Sequence, residues 1–401
     1  MSGIIRGKTT IGTPQTINTY VGGIFSGYTL NPTLKCNAFI SLKSTAYPDA
    51  SFNPNGSYFT GNTPDSVNSI AVQSDGKILV GGSFRKYTTD NQTYQVSNLV
   101  RLNTDGSLDS GYTGATSFNG DIYTVAVDYL GRAVVGGGFK DYNGNRYYRM
   151  IRFSSDTTLD TTFPDPDFDD DVNVIVPTPY HKLEVGAAYT YLVGGRFSGL
   201  VQELNYSGGV VGGQVFNSVL VGLSVNTIAL DTINLFNDKI ENGQYTVYVG
   251  GDFSASTDGG RFNNMIALDS LGRILGNDFN INISGGTGGF NGPVYSIVVD
   301  GDGKILLGGD FTQYNGDAVN YMVRLNTKGT LDLTYNFNGP VYSIELDCCG
   351  KVLVGGAFTI YNSVVSRRII RLLPNGDVDS TFVIGGGGFN NDVKAIYYSK
   401  S

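Results

Sequence analysis

The sequence predicts an all-β fold, a seven-bladed β-propeller of four-stranded antiparallel blades whose first blade is closed by the C-terminal strand. Three observations predict it. The phrase Gly-Gly-x-Phe, entered by Val or Leu, recurs from Val21, Val80, Val135, Val193, Val249, Leu307 and Val354. Glycine supplies 56 of 401 residues and only 15% are charged, a composition suited to short strands joined by tight turns. The first phrase has no strand before it, while a spare strand, Val393-Lys394-Ala395-Ile396-Tyr397-Tyr398, follows the last.

The repeat comes first, because a period near fifty residues built from short apolar runs signals stacked β units. In the sixth unit Val294–Val299 reads as a strand, Asp300-Gly301-Asp302-Gly303 as a turn and Lys304–Phe311 as the returning strand. Tyr321–Asn326 is the third strand, and a short fourth lies near Leu331–Tyr335. The first strand is apolar or small on both faces and is therefore expected to be covered on both. The Gly pair reads as a site of close backbone approach or a bulge, and the Phe after it as core between blades. Completing blade one from both termini would seal the ring without an open edge. The unbroken repeat argues for one domain over residues 17–401, preceded by an arm, residues 1–16. Whether that arm packs on its own ring or docks into a neighbouring subunit is open at this point.

A charge regularity runs through four units. Arg101 precedes Asp109 by eight residues, and the interval returns in Arg152 and Asp160, Arg324 and Asp332, and Arg371 and Asp379. Each Asp stands three residues before an aromatic. This reads as a bidentate Arg–Asp staple between third and fourth strands, with an anion site at each Arg as the alternative.

Composition excludes several functions. Formal net charge is −8 with no basic block, so no phosphate-binding groove and no nucleic-acid partner is expected. No apolar run of about 18 residues occurs, so no membrane insertion is expected. The first residues lack the apolar core of a secretory signal, so export by the general route is not expected. The three cysteines give no ligand spacing for a metal. Cys348 and Cys349 read as free thiols at a turn, no disulfide scaffold is expected, and no cofactor is implied. The acidic run Asp165–Asp171 reads as a solvated connector, with Ca²⁺ binding as the alternative.

Catalysis finds little support. The one histidine, His181, falls in an insertion, so a Ser–His or Cys–His arrangement would depend on it alone. No carboxylate pair stands apart from the repeated turn and staple positions, and Trp is absent.

The unit V-x-S-I-x-x-x-x-D-G-K-I-L-V-G-G-x-F…R-L-N-x-x-G-x-L-D-x-x-F resembles the delta-60 type of β-propeller repeat, best over residues 67–112, 122–163 and 294–382. The resemblance implies the fold and brings no catalytic signature. Such repeats occur in virion proteins of tailed phages and in bacterial surface proteins. It therefore implies a non-enzymatic virion component, in a tail, baseplate or fibre, whose partners are other assembly proteins and a host-surface protein or glycan. The alternative is an extracellular or cell-surface recognition module.

Departures from the repeat point to where partners would bind. The first hairpins of blades four and five are longer than the others by 8 and 11 residues. They carry Tyr180, His181, Lys182 and Tyr189, and Phe236, Asn237, Asp238, Lys239 and Tyr245. Adjacent loops of this composition on one face suit a protein or glycan contact.

Overall fold

The computed structural model describes residues 18–28, 36–52, 57–61, 65–89, 92–109, 111, 117–178, 189–211, 220–231, 245–257, 260–275, 287–382 and 387–399. Among them every regular element is a strand. Each Gly-Gly phrase ends or lies within a second strand that pairs antiparallel with a first strand on one side and a third on the other. In the sixth unit these are Val294–Val299, Ile305–Gly309 and Tyr321–Leu325. Equivalent sheets are built around Ile78–Ser83, Ala133–Gly137, Thr190–Gly195, Thr246–Thr257 and Val352–Gly356.

The sheet at the N-terminus draws on both ends of the chain. Asn18–Gly23 lies between Phe39–Lys43 and the C-terminal strand Val393–Tyr398, antiparallel to each. The first strands then pack against one another in order: Val393–Tyr398 on Ser66–Val72, that on Ile122–Val127, then Val172–Pro177, Leu220–Asp231, Val294–Val299 and Val341–Leu346. The last of these returns to Val393–Tyr398.

Two glycines per unit have separate steric reasons. A Cβ on the first would fall within 3.0 Å of the Val or Ile that opens the next unit's first strand. Gly22 faces Val67, Gly81 faces Ile122, Gly136 faces Val172, and Gly194 faces Val225. Gly250 faces Val294, Gly308 faces Val341, and Gly355 faces Val393 of the C-terminal strand. A Cβ on the second glycine would instead strike the backbone of its own sheet, as Gly309 would strike the Pro293 carbonyl and Gly356 that of Pro340. The register shift between the first and third residues of most first strands brings that carbonyl close.

An amide of four first strands is satisfied by the preceding unit. Ser69 Oγ accepts from Val125 N–H at 2.9 Å, Thr227 Oγ1 from Ile297 at 3.2 Å, and Ser296 Oγ from Ile344 at 3.1 Å. Ser343 Oγ accepts from Ile396, in the C-terminal strand, at 3.0 Å. The Ser of V-x-S-I is therefore a link between sheets.

The Phe of each phrase is buried, and six of them, among the described residues, meet an aromatic from just before a first strand. Phe25 lies 4.2 Å from Phe389, Phe84 4.2 Å from Phe59, Phe311 4.3 Å from Phe290, and Phe358 4.6 Å from Phe337. A Tyr three residues after the phrase's Phe completes the cluster and donates its hydroxyl outward. Tyr87 bonds Gly106 O at 2.6 Å, Tyr314 Gly329 O at 2.5 Å and Tyr361 Gly376 O at 2.6 Å. Third strands are entered through, or carry, a left-handed residue, at Ala38, Asn98, Arg149, Leu200, Asn264, Tyr321 and Arg368. In six of them its N–H returns to the carbonyl of the phrase's Phe.

One expectation changes. The first strands are flanked on both sides, Val294–Val299 by Leu220–Asp231 and Val341–Leu346, with Val294 and Ile297 buried and their neighbours of intermediate exposure, while the strand buried throughout is the second. Four full strands per unit are not the rule. Leu331–Asn336 is a complete fourth strand, but elsewhere the fourth segment shrinks to a single bridge, such as Leu102 to Leu108, Phe153 to Leu159 and Leu372 to Val378. The staple Asp ends it. Asp109, Asp160 and Asp379 each accept the N–H two residues on, at 3.0–3.1 Å, and turn the chain out of the ladder. Asp332 gives both oxygens to Lys304, and there the strand runs on.

Candidate functional site

The expected partner-binding residues divide in two. Tyr180, His181, Lys182, Phe236, Asn237, Asp238 and Lys239 lie outside the described residues, as does the arm 1–16. Tyr189 and Tyr245 are described, and both are buried, a correction to their expected exposure on loops. Each is the last residue of its insertion, where the chain re-enters the sheet. Tyr189 donates to Asp128 Oδ2 at 3.0 Å, accepts from Arg132 and sets its ring at 88° to Tyr191. Burial pushes the Tyr245 phenol well above its ordinary range, with the nearby Glu203 carboxylate adding to it. These two tyrosines root the long hairpins.

Asp128 organises the seam beside Tyr189. Its side chain is fully buried. Oδ1 accepts from the N–H groups of Leu130 and Arg132 at 2.9 and 3.0 Å. Oδ2 accepts from Arg132 Nε at 2.7 Å and Tyr191 Oη at 2.8 Å. A buried carboxylate is tolerated only when so fully bonded.

All four expected staple pairs lie in contact. Arg101 Nε is 2.6 Å from Asp109 Oδ2, Arg152 Nε 2.8 Å from Asp160, Arg324 Nε 2.6 Å from Asp332 and Arg371 Nε 2.7 Å from Asp379. In the first two the guanidinium grips a single oxygen with two nitrogens, because Oδ1 is held by the turn. Two features were missed in the sequence. A cation immediately before the second strand shares each Asp: Lys77 at 3.2 Å, Arg132 at 3.8 Å, Lys304 at 3.1 Å and Lys351 at 2.9 Å. The Arg also crosses to the next unit's outer turn, Arg101 to Ser155 O at 3.0 Å, Arg152 to Tyr206 O and Arg324 to Pro374 O. The Lys of D-G-K could have signalled the first; the second joins residues about fifty apart and has no local signal.

These pairs make stability pH-dependent. Burial alone would raise Asp109, Asp160, Asp332 and Asp379, but the amides, hydroxyls and cations facing them win, and all four lie below the usual carboxylate range. Groups depressed in the folded state stabilise it above the unfolded value of about 3.9 and stop doing so as pH falls through the folded values. The urea midpoint should therefore drop between about pH 4 and pH 2, and Asp379→Asn should make that drop shallower. A midpoint that stays flat would count against the staples as acid-labile elements.

The acidic run is spent on local bonds. Asp165 accepts from Tyr148 N–H at 3.0 Å, Asp167 pairs with Arg146 at 2.8 Å and Asp171 with Arg149 at 3.0 Å. Asp169 takes the place of a repeated Asn and accepts from Ser198 N–H at 2.9 Å, as Asn291 does from Thr312 and Asn338 from Thr359. Among the described residues no group of three or more His, Cys, Asp or Glu is placed to hold a metal ion. Cys348 and Cys349 are free and exposed, with sulfurs 3.6 Å apart, and Cys36 is buried.

A cleft of about 630 Å³ opens between units two and three, beside Gln73–Lys77, Val127–Gly131 and Ser155–Asp156. Units three, six and seven start this turn with Asp128, Asp300 and Asp347, which close it with their own carboxylates. Unit two has Gln73, whose Nε2 reaches across to Gly131 O at 3.0 Å and Ser155 O at 3.2 Å. Tyr129 and Leu130 stand on its rim, 60% and 64% exposed. The Tyr129 ring lies 5.7 Å from that of Tyr189, tilted at 59°, so the cleft adjoins the root of the unit-four insertion.

Comparison with known proteins agrees with this geometry. Residues 73–112, 131–163, 301–335 and 350–382 match a family described as a domain of unknown function, DUF5122, beta-propeller. Those four stretches are similar to β-propeller repeats. No curated protein matches it. Among solved structures it is similar to the extracellular domain of a hybrid two-component system of B. thetaiotaomicron, at 12% identity and TM-score 0.42. That match covers 82% of this chain and 37% of the other, so the chain spans little more than a third of it. It is also similar to virginiamycin B lyase from Staphylococcus aureus, at 11% identity over 80% of this chain and 85% of that one, TM-score 0.43. The WD40 beta propeller domain of Doa1 matches at 12% identity over 95% and 98%, TM-score 0.43. No helix among the described residues is long and apolar enough to cross a membrane.

Proposed function

We propose that this propeller is seven-bladed, completed at blade one by Val393–Tyr398, and is a non-enzymatic structural and interaction protein. In this reading it is a virion component of a tailed bacteriophage, in the tail, baseplate or fibre, that docks other subunits and meets the host surface. The observation that carries the reading is the use of the repeated polar groups. The staple Asp, the Asn repeated before first strands and the Ser of V-x-S-I are engaged in holding strands or joining sheets. What varies is the length of the first hairpins of units four and five, and the cleft adjoins Tyr189 at the root of one of them. The exposed thiols of Cys348 and Cys349 suit assembly in a reducing cytoplasm.

Deleting residues 179–188 and 232–244, each bridged by a two-residue turn, should leave the melting temperature within a few degrees of the intact chain and abolish incorporation into particles. Immunogold electron microscopy of purified particles reads that outcome. Undiminished incorporation would overturn the assignment of this face, and absence of the intact chain from particles would overturn the virion role. The second reading, a bacterial surface or secreted module that recognises protein or glycan, is favoured by the cleft beside Tyr129.

A further inference from the structure

We propose that the cleft between units two and three binds a short uncharged oligosaccharide, an inference that rests on the first-hairpin face being the recognition face.

The site is a departure from the repeat. Gln73 replaces the Asp that would fold into its own turn, and its amide spans the seam as a floor. It is held there by Arg101, whose Nη1 donates to Gln73 Oε1 at 3.3 Å. Above the floor Tyr129 offers an exposed ring, pre-ordered by its tilted contact with the Tyr189 ring. An aromatic face fixed at a cleft rim is suited to the C–H face of a pyranose, and its stiffness lowers the entropy lost on binding.

Hydrogen-bonding capacity selects a hydroxyl-rich guest. Asp75 and Asp156 each commit one oxygen to their own turn, Asp75 Oδ1 to Lys77 N–H at 3.1 Å and Asp156 Oδ1 to Thr158 N–H at 2.9 Å. Asp75 Oδ2 also faces Lys77 Nζ at 4.0 Å, so Asp156 Oδ2 and the hydroxyls of Ser74 and Ser155 remain to bond sugar hydroxyls, accepting and donating in turn. The cations argue against an anionic guest. Lys77 and Arg101 are both engaged by Asp109, at 3.2 and 2.6 Å, which leaves no cation in the cleft without a carboxylate partner. About 630 Å³ lies within the usual range for small-ligand pockets and accommodates roughly two or three pyranose rings.

Saturation-transfer NMR and titration calorimetry on the full chain test this with cellotriose, maltotriose and triacetylchitotriose, and with trilysine as a cationic control. At least one trisaccharide should bind, with a dissociation constant of roughly 0.1–1 mM. Tyr129→Ala should weaken it at least tenfold and Asp156→Ala about fivefold, with unchanged melting curves, while Tyr129→Phe should retain most of it. Binding by none of the sugars, binding by trilysine alone, or full affinity in a folded Tyr129→Ala chain would overturn the proposal. The insertion deletions separate the two readings. Lost particle incorporation with intact sugar binding leaves both standing, undiminished incorporation overturns the assignment of the face, and lost incorporation with no sugar binding by the intact chain overturns the cleft alone.

Discussion

Removing residues 393–401 should abolish cooperative folding, although every Gly-Gly-x-Phe phrase would remain. The lost strand supplies one edge of the sheet around Asn18–Gly23 and buries Val393, Ala395, Ile396 and Tyr398. Val393 fills the space over Gly355, and the Ile396 amide is the donor to Ser343 Oγ. Each large apolar side chain is worth about 1.5–3 kcal/mol on burial, and a whole domain is stable by only about 5–15 kcal/mol. The truncated chain should therefore accumulate as insoluble or partly unfolded material. A synthetic peptide of residues 387–401 added during refolding should restore a sharp thermal transition. A truncated chain that melts at the same temperature as the intact one would show that the terminal strand is dispensable.

The paired substitutions Gly308→Ala and Gly309→Ala should differ in cost although they add the same methyl to adjacent residues. At Gly308 the new Cβ meets Val341 Cγ1 at 2.5 Å and Ile344 Cδ1 at 3.1 Å. Those are side-chain termini, and a small rotation of Val341 relieves the overlap for about 1–2 kcal/mol. At Gly309 the obstacle is the Pro293 carbonyl oxygen, which cannot withdraw without breaking the bulge that pairs Val294 with Gly309. We expect about 3 kcal/mol there. Urea midpoints of the two variants measure the difference, and equal costs would refute separate steric roles for the two glycines.

Much of this architecture is legible in the sequence because it is written into local spacing. The Gly-Gly-x-Phe phrases mark the second strands, and the eight-residue Arg–Asp interval marks pairs that meet across one sheet. The unmatched strand at Val393 lies beside the strand that lacked a partner. What escaped has its cause in distance or in context. The Ser69 to Val125 bond and the reach of Arg101 to Ser155 join different units, and a chain read in one dimension carries no mark of them. Tyr189 and Tyr245 look like loop aromatics until the ladder is seen to resume beside them. Gln73 looks like one more polar turn residue. Only its divergence from Asp128, Asp300 and Asp347 at the same place in the repeat could have drawn notice to the cleft.

Thr19 lies opposite Tyr398, and Gly23 opposite Val393. Antiparallel pairing thus puts the start of the one strand beside the end of the other. Tension applied between the two chain ends would load this ladder from its terminus and part its hydrogen bonds one at a time, by peeling rather than by shear. The other sheets would bear almost none of that force until the clasp had given way. A protein gripped by both ends would thus yield at low load, whereas one pressed across its faces would resist as a unit.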